Sequence, residues 1–192
     1  MTLADWPQTQ MTFVTVRLFL RKIFIMSLEF IYKKANINDL CQLKQLAIIS
    51  YEQFKEVLSV ENCKKMDLFL TNDDTFIQLI QKSVVFVCAK NETIIGVAYL
   101  VPSGNATPIF DDDWCYVRMV GVNPEYRGRG IAKQLTQMCI EYAKNAGEKI
   151  IALHTSEFMN TAKHIYESIG FVRTKELDPI FDKKYWLYKL EL

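Results

Sequence analysis

Histidine is nearly missing from this 192-residue chain: there are two, and the five cysteines include no C-x-x-C pair. A structural zinc site takes four closely spaced Cys or His ligands, so no metal site is expected. The odd cysteine count (Cys41, Cys63, Cys88, Cys115 and Cys139) does not suit a disulfide framework. Reduced, partly buried thiols are the expectation, and with them a cytoplasmic setting. Net charge is lacking as well. Twenty-three Lys and Arg against 22 Asp and Glu leave +1, which gives no general attraction to nucleic acid or an acidic membrane. Long apolar runs are absent too. Arg17, Arg21 and Lys22 interrupt the apolar stretch 11–26, and nothing approaches the about 20 residues of a membrane span. Asp5 is the only charged side chain before Arg17, so the basic lead of a signal peptide is missing. Residues 1–26 therefore read as an accessory or poorly ordered N-terminal extension without stable membrane association. The alternative for 11–26 is a basic amphipathic helix lying on a membrane. Met26 is a candidate functional start, because the domain pattern begins just after it and runs over 27–192. Repeats and low-complexity tracts are absent.

What is present is apolar material: half the residues are hydrophobic and 12% aromatic, enough for one packed domain at this length. Alternation over 28–33 predicts a strand. Ile37, Asn38 and Asp39 offer caps for a helix over 40–54, with Leu40, Leu43, Leu46 and Ala47 on one face. Segments 60–70 and 75–82 are further helical pieces, separated by 72–74. The β-branched run 83–89 turns through Lys90, Asn91 and Glu92 into 93–101, a hairpin. A loop rich in Pro, Gly, Asn and Asp covers 102–113, and 114–122 is the next strand. A helix is predicted over 129–146, buried through Ile131, Leu135, Met138 and Tyr142, with Gly147 as its stop. A strand over 149–154 leads to a helix over 160–169, which Thr155 and Ser156 can cap. Within it Ala162, Ile165 and Ile169 face inward. Strands 171–176 and 185–190 close the chain. The order is β-α-α-β-β-β-α-β-α-β-β, an α/β (α+β) domain with a mixed, mostly antiparallel central sheet flanked by helices.

The most informative stretch is Val120-Gly-Val-Asn-Pro-Glu-Tyr-Arg-Gly-Arg-Gly-Ile-Ala132. A strand ends, a turn follows, and a basic, glycine-bearing segment opens a helix. Free N–H groups in a helix's first turn, together with the macrodipole, form an anion site. Gly128 and Gly130 remove side chains where a phosphate approaches the backbone. Arg127, Arg129 and Lys133 add charge. A Walker A loop ends in Gly-Lys-Ser/Thr, which is absent. A dinucleotide fingerprint requires G-x-G-x-x-G directly after its strand; here the third glycine is missing and five residues intervene. A loop for the pyrophosphate of coenzyme A remains, beside the bland alternative of a plain strand-to-helix turn.

At these residues the sequence resembles the GNAT superfamily of N-acetyltransferases. Arg127-Gly-Arg-Gly-Ile-Ala132 is similar to its signature Arg/Gln-x-x-Gly-x-Gly/Ala, and Val122-Asn-Pro-Glu-Tyr126 looks like its strand-to-helix turn. Ala162-Lys-His-Ile-Tyr-Glu-Ser-Ile-Gly-Phe171 resembles its closing motif, A-x-x-L-Y-E-x-x-G-F. The likeness covers about residues 28–192 and is densest over 114–171.

The resemblance implies acetyl-CoA as cosubstrate, with its pyrophosphate on Arg127, Gly128, Arg129, Gly130, Ile131 and Ala132. It implies that the pantetheine arm runs along a splayed strand at Val120, Gly121 and Val122, where one backbone N–H polarises the thioester carbonyl. The reaction would be direct attack of a primary amine in a ternary complex. A small-molecule amine and a protein amino group remain equal candidates as acceptor. Tyr166 matches the family's general acid for the departing thiolate; the alternative is a tyrosine that only packs. His154 stands where some members carry a glutamate base, and is either that base or a strand-end histidine that only hydrogen-bonds. The acidic run Asp111, Asp112 and Asp113 is a second candidate. The family's cofactor-contacting asparagine is replaced by Met159, with Asn160 one place late. Cys88, Cys115 and Cys139 lack an activating partner. A non-catalytic acyl-CoA-binding or partner-binding module on the same fold is the rival function, and a homodimer through the C-terminal strands is compatible with the pattern. Acceptor choice is expected to lie with 40–82 and 102–114.

Overall fold

The computed structural model describes residues 30–192. The expectations for 1–26, including Met26 as a start and the amphipathic stretch 11–26, lie outside the described residues. The chain runs β1 (Ile31–Ala35), α1 (Leu40–Tyr51), α2 (Val60–Thr71), α3 (Asp73–Lys82), β2 (Val84–Lys90), β3 (Thr93–Val101), β4 (Cys115–Val122), α4 (Ile131–Asn145), β5 (Ile150–Ser156), α5 (Asn160–Ser168), β6 (Val172–Ile180) and β7 (Lys183–Glu191). The second helical position of the expected order is filled by two helices. Asn72 divides them, its side chain accepting from the N–H of Thr75 at 3.0 Å and capping α3. Ile37–Asp39 forms a 3-10 turn rather than a bare cap, closed by a reciprocal capping box between Asn36 and Asp39.

Among the described residues the strands form one seven-stranded sheet in the order β1-β2-β3-β4-β5-β7-β6. β2–β3, β3–β4, β5–β7 and β6–β7 pair antiparallel, whereas β4 and β5 pair parallel. The sheet is therefore mixed and mostly antiparallel, as expected. Helices cover both faces. Side chains alternate along a strand, so Gly96 and Gly121, on diagonal register partners of β3 and β4, open onto opposite faces. A Cβ on Gly96 would meet Ile131 of α4, and one on Gly121 would meet Ser50 of α1. Leu43, Leu46 and Leu79 fill the α1–α3 side with Val85, Val87, Val97 and Tyr99 of the sheet. Ala47, Met66, Leu70 and Phe76 fill the space among the three helices themselves.

Two helix faces differ from expectation. On α4 the buried stripe is Ile131, Leu135, Cys139 and Ala143, while Tyr142 is 36% exposed and stacks edge-on with Phe86 at 5.8 Å. A strict i, i+4 step keeps the small Cys139 and Ala143 against the sheet and rotates Tyr142 to the rim. On α5 only Tyr166 is buried; Ala162, Ile165 and Ile169 are half-buried. Thr155 and Ser156 do not cap α5. Both belong to β5, and the Ser156 hydroxyl donates to the carbonyl of Lys184 on β7.

Candidate active site

The site begins where β4 stops behaving as a regular strand. Its pairing with β5 consists of two steps, Cys115 with Ile151 and Tyr116 with Ala152, after which the strands part. On its other edge, Val97 pairs with Gly121 and Tyr99 with Arg118, so Met119 and Val120 together face Ala98. That extra residue is a β-bulge, with Met119 at φ +49°. A bulge removes backbone groups from the ladder and bends the strand. Residues 117–122 thus present an edge that β5 does not cover, at the position assigned to a pantetheine arm.

Beyond β4, Asn123 caps a 3-10 turn over Pro124–Tyr126, and α4 then starts at Ile131. Gly128 and Gly130 have φ of +74° and +79°, and a Cβ on either would stand in open space. The glycines thus meet a left-handed backbone requirement and also leave the surface over the amides bare. Gly130 is the N-cap residue and supplies no side-chain cap. The first intrahelical bond runs from Gln134 N–H to Gly130 C=O at 3.0 Å, so the N–H groups of 131–133 precede any helical acceptor. Arg129 lies over the ring of Tyr126 at 5.4 Å, and Lys90 over the same ring at 5.5 Å. A groove of about 400 Å³ begins at Lys133 and runs between α4 and α5 past Gln137, Ile140 and Ile169.

Arg127 has a different occupation from the one expected. Its Nε donates to Val122 C=O at 3.2 Å, and its two terminal nitrogens donate to Gln53 Oε1 at 2.7 Å and Ser50 C=O at 2.9 Å. Its backbone N–H bonds to Pro124 C=O at 3.3 Å. Its guanidinium therefore ties the end of β4 to the end of α1. Gly121 sits at the same junction: a Cβ there would lie 2.7 Å from Ser50 Oγ.

Around the opening between β4 and β5, aromatic groups converge. Tyr166 is 7% exposed, and burial, with Tyr51 and Cys139 nearby, raises its phenol above the ordinary tyrosine range. Tyr51, at the end of α1, is pushed up to about 12 by burial and by Tyr185, with Arg118 opposing. Tyr51 also raises Tyr99, whose main cause is burial. Tyr51 contacts Phe54 at 5.1 Å, Phe54 contacts Phe158 at 5.1 Å, and Phe158 contacts Tyr185 at 6.4 Å. His154 lies between Phe110 at 5.8 Å and Tyr185 at 5.7 Å, and its buried Nδ1 has no hydrogen-bond partner among the described residues. Burial first, then the charge of Arg118, lower its pKa to about 4. It is neutral at pH 7, free to accept a hydrogen bond but a weak holder of a proton. Asp111, Asp112 and Asp113 are exposed, and their loop is shaped by backbone bonds such as Gly104 N–H to Asp112 C=O at 2.7 Å.

Cys88, Cys115 and Cys139 are buried, and burial raises all three thiols, Cys115 to about 12. That suits packing and not nucleophilic chemistry. Asn160 is exposed at the start of α5, after Met159. Among the described residues no group of three or more His, Cys, Asp or Glu could hold a metal ion. Among them, too, no helix is long and apolar enough to cross a membrane. Neither Arg118 nor Tyr51 belongs to a motif that the sequence singles out. Arg118 carried a signal, as the one charged residue within the otherwise apolar β4.

The structure thus joins a mixed sheet, opened between two parallel strands, to a bare helix N-terminus beside the opening. Residues 48–171 match the model of the acetyltransferase (GNAT) family, and the chain belongs to that family. N-alpha-acetyltransferase 30 of Schizosaccharomyces pombe is 42% identical over 62 residues, 32% of this chain and 41% of the relative. N-acetyltransferase 8B of Homo sapiens is 28% identical over 92 residues, 48% of this chain and 40% of the relative. The chain thus spans about two-fifths of the length of these curated relatives. In fold, it is similar to the PaiA N-acetyltransferase of Thermoplasma acidophilum solved with coenzyme A (TM-score 0.66, 17% identity, covering 84% of this chain and 99% of that one). It is likewise similar to the ribosomal-protein-S18-alanine N-acetyltransferase of Escherichia coli (TM-score 0.64, 15% identity, covering 84% and 93%).

Proposed function

We propose that this protein moves an acetyl group from acetyl-CoA to a primary amine by direct attack, with both substrates bound together. The observation that carries the reading is the adjacency of two features: the β4 edge freed after Tyr116, and the uncapped first turn of α4. The N–H groups of 128–133 receive the pyrophosphate, each charge-assisted bond contributing about 1.5–3 kcal/mol. Arg129 and Lys133 add attraction, while Arg127 holds the loop in shape through Val122, Gln53 and Ser50. The pantetheine arm follows Val120, Gly121 and Val122, and an amide at the bulge polarises the thioester carbonyl.

The amine nitrogen then bonds to the carbonyl carbon, the C–S bond breaks, and the nitrogen releases one proton. Tyr166 gives its phenolic proton to the departing thiolate, and the proton released by the amine restores the phenol through water. Burial raises the phenol's pKa, so it is loaded with its proton at neutral pH. His154 serves as a neutral acceptor that passes the amine's proton toward water and does not store it. The setting proposed is the cytoplasm.

Tyr166→Phe tests the chemistry. Calorimetry should give CoA affinity within about twofold of the parent, while CoA thiol release in the presence of amine falls about 100-fold. Equal turnover would remove the acid. CoA affinity without thiol release, in the parent and across amine classes, would favour the binding module.

A further inference from the structure

A cavity of about 430 Å³ lies beside the proposed transfer point, between the start of β4, the end of β3, α3 and the loop after β3. Two cations line it, Arg118 from β4 and Lys82 from α3, and its lining contains no carboxylate. Neither cation forms an ion pair among the described residues. The other polar lining is neutral: Thr75, Gln78, Asn105, Thr107 and Tyr116. The Tyr116 hydroxyl donates to Asn105 C=O at 3.2 Å, which fixes the loop against the cavity wall.

Arg118 is half-buried, on a strand whose other residues are apolar or glycine save for the phenol of Tyr116. A cation taken partly out of water without a counter-charge is costly, and packing alone gives no reason for it here. Its field is felt across the opening, where it opposes protonation of His154 and favours ionisation of Tyr51 and Tyr116. Arg118 precedes Val120 by two residues across the bulge at Met119, so the two backbones stand no more than about 7 Å apart, and an anion on the guanidinium is within reach of an acceptor amine attacking a thioester held at Val120. A planar guanidinium matches a carboxylate with two parallel hydrogen bonds. The volume falls in the range of small-molecule sites, roughly 300–1,000 Å³.

We propose that the acceptor is a small amine that also bears a carboxylate, an amino acid or a close analogue, with the carboxylate on Arg118 and Lys82 completing the anion site. This rests on the acetyltransferase reading above and names the substrate class for it.

The experiment compares matched acceptors, a panel of free amino acids against their carboxamides, by CoA thiol release, with CoA binding measured by calorimetry on the same preparations. The parent is expected to prefer the carboxylate form of its best acceptor at least tenfold in kcat/KM. In Arg118→Met that ratio should collapse toward one, chiefly through KM. Lys82→Met should lower it severalfold, and Arg118→Lys should restore part of it. CoA calorimetry on each variant reports that the fold is intact. The inference is overturned if carboxylate and carboxamide are used equally, or if peptides with acidic N-termini are acetylated while free amino acids are not. It is also overturned if the ratio survives in Arg118→Met. A parent that binds no CoA at all contradicts the acetyltransferase reading itself, an outcome distinct from these.

Discussion

His154 shows how one side chain's burial reaches both chemistry and stability. Its pKa of about 4 in the folded chain lies below the about 6.5 of an unfolded histidine. Between those values the unfolded state binds more protons, so stability falls as pH drops through that window and is complete above it. From pH 7 to pH 5 the loss from this group is about 2 kcal/mol. Urea unfolding at the two pH values should show that loss in the parent and a clearly smaller one in His154→Gln; equal losses would mean that the imidazole is not shielded from protonation. Arg118 and Tyr51 act at the same scale, and only one of them could be read early. A charged residue inside an apolar strand is visible in a sequence. Tyr51 was not legible as a site group, because its importance comes from Tyr166 and Tyr185, more than a hundred positions away, being brought beside it.

Among the elements, the junction of α1, β4 and α4 carries the most. Gly128 and Gly130 were legible, because a left-handed turn into a helix N-terminus calls for glycine whatever surrounds it. Arg127 was not. A basic residue beside a phosphate loop reads as a phosphate ligand, and nothing local tells that Ser50 and Gln53 wait at the end of α1. Arg127→Met should therefore lower stability by about 1–3 kcal/mol through three lost hydrogen bonds, measured by urea unfolding without ligand. Unchanged stability would return the guanidinium to phosphate binding alone. The face of α4 was set one step off for a related reason. Tyr142 and Met138 fit an apolar stripe by type, but the close approach of Gly96 to Ile131 fixes the rotation that buries Cys139 and Ala143.

For the whole molecule, the mixed sheet and the order of elements along the chain follow from patterns that are strong locally: the hairpin of β2 and β3, the β4–turn–α4 sequence, and the closing strands. What no local pattern reveals is where two parallel strands stop pairing, and the proposed chemistry depends on that gap. The account's central claim is that backbone amides at 128–133 recognise a pyrophosphate while the β4 edge holds the arm. Competition calorimetry with CoA and with pantetheine, which keeps the arm and thiol but lacks the pyrophosphate, tests this without altering the protein. The account predicts that pantetheine binds at least about 100-fold more weakly than CoA, a loss of about 2.7 kcal/mol or more. Equal binding of the two, or no heat with CoA, would contradict it.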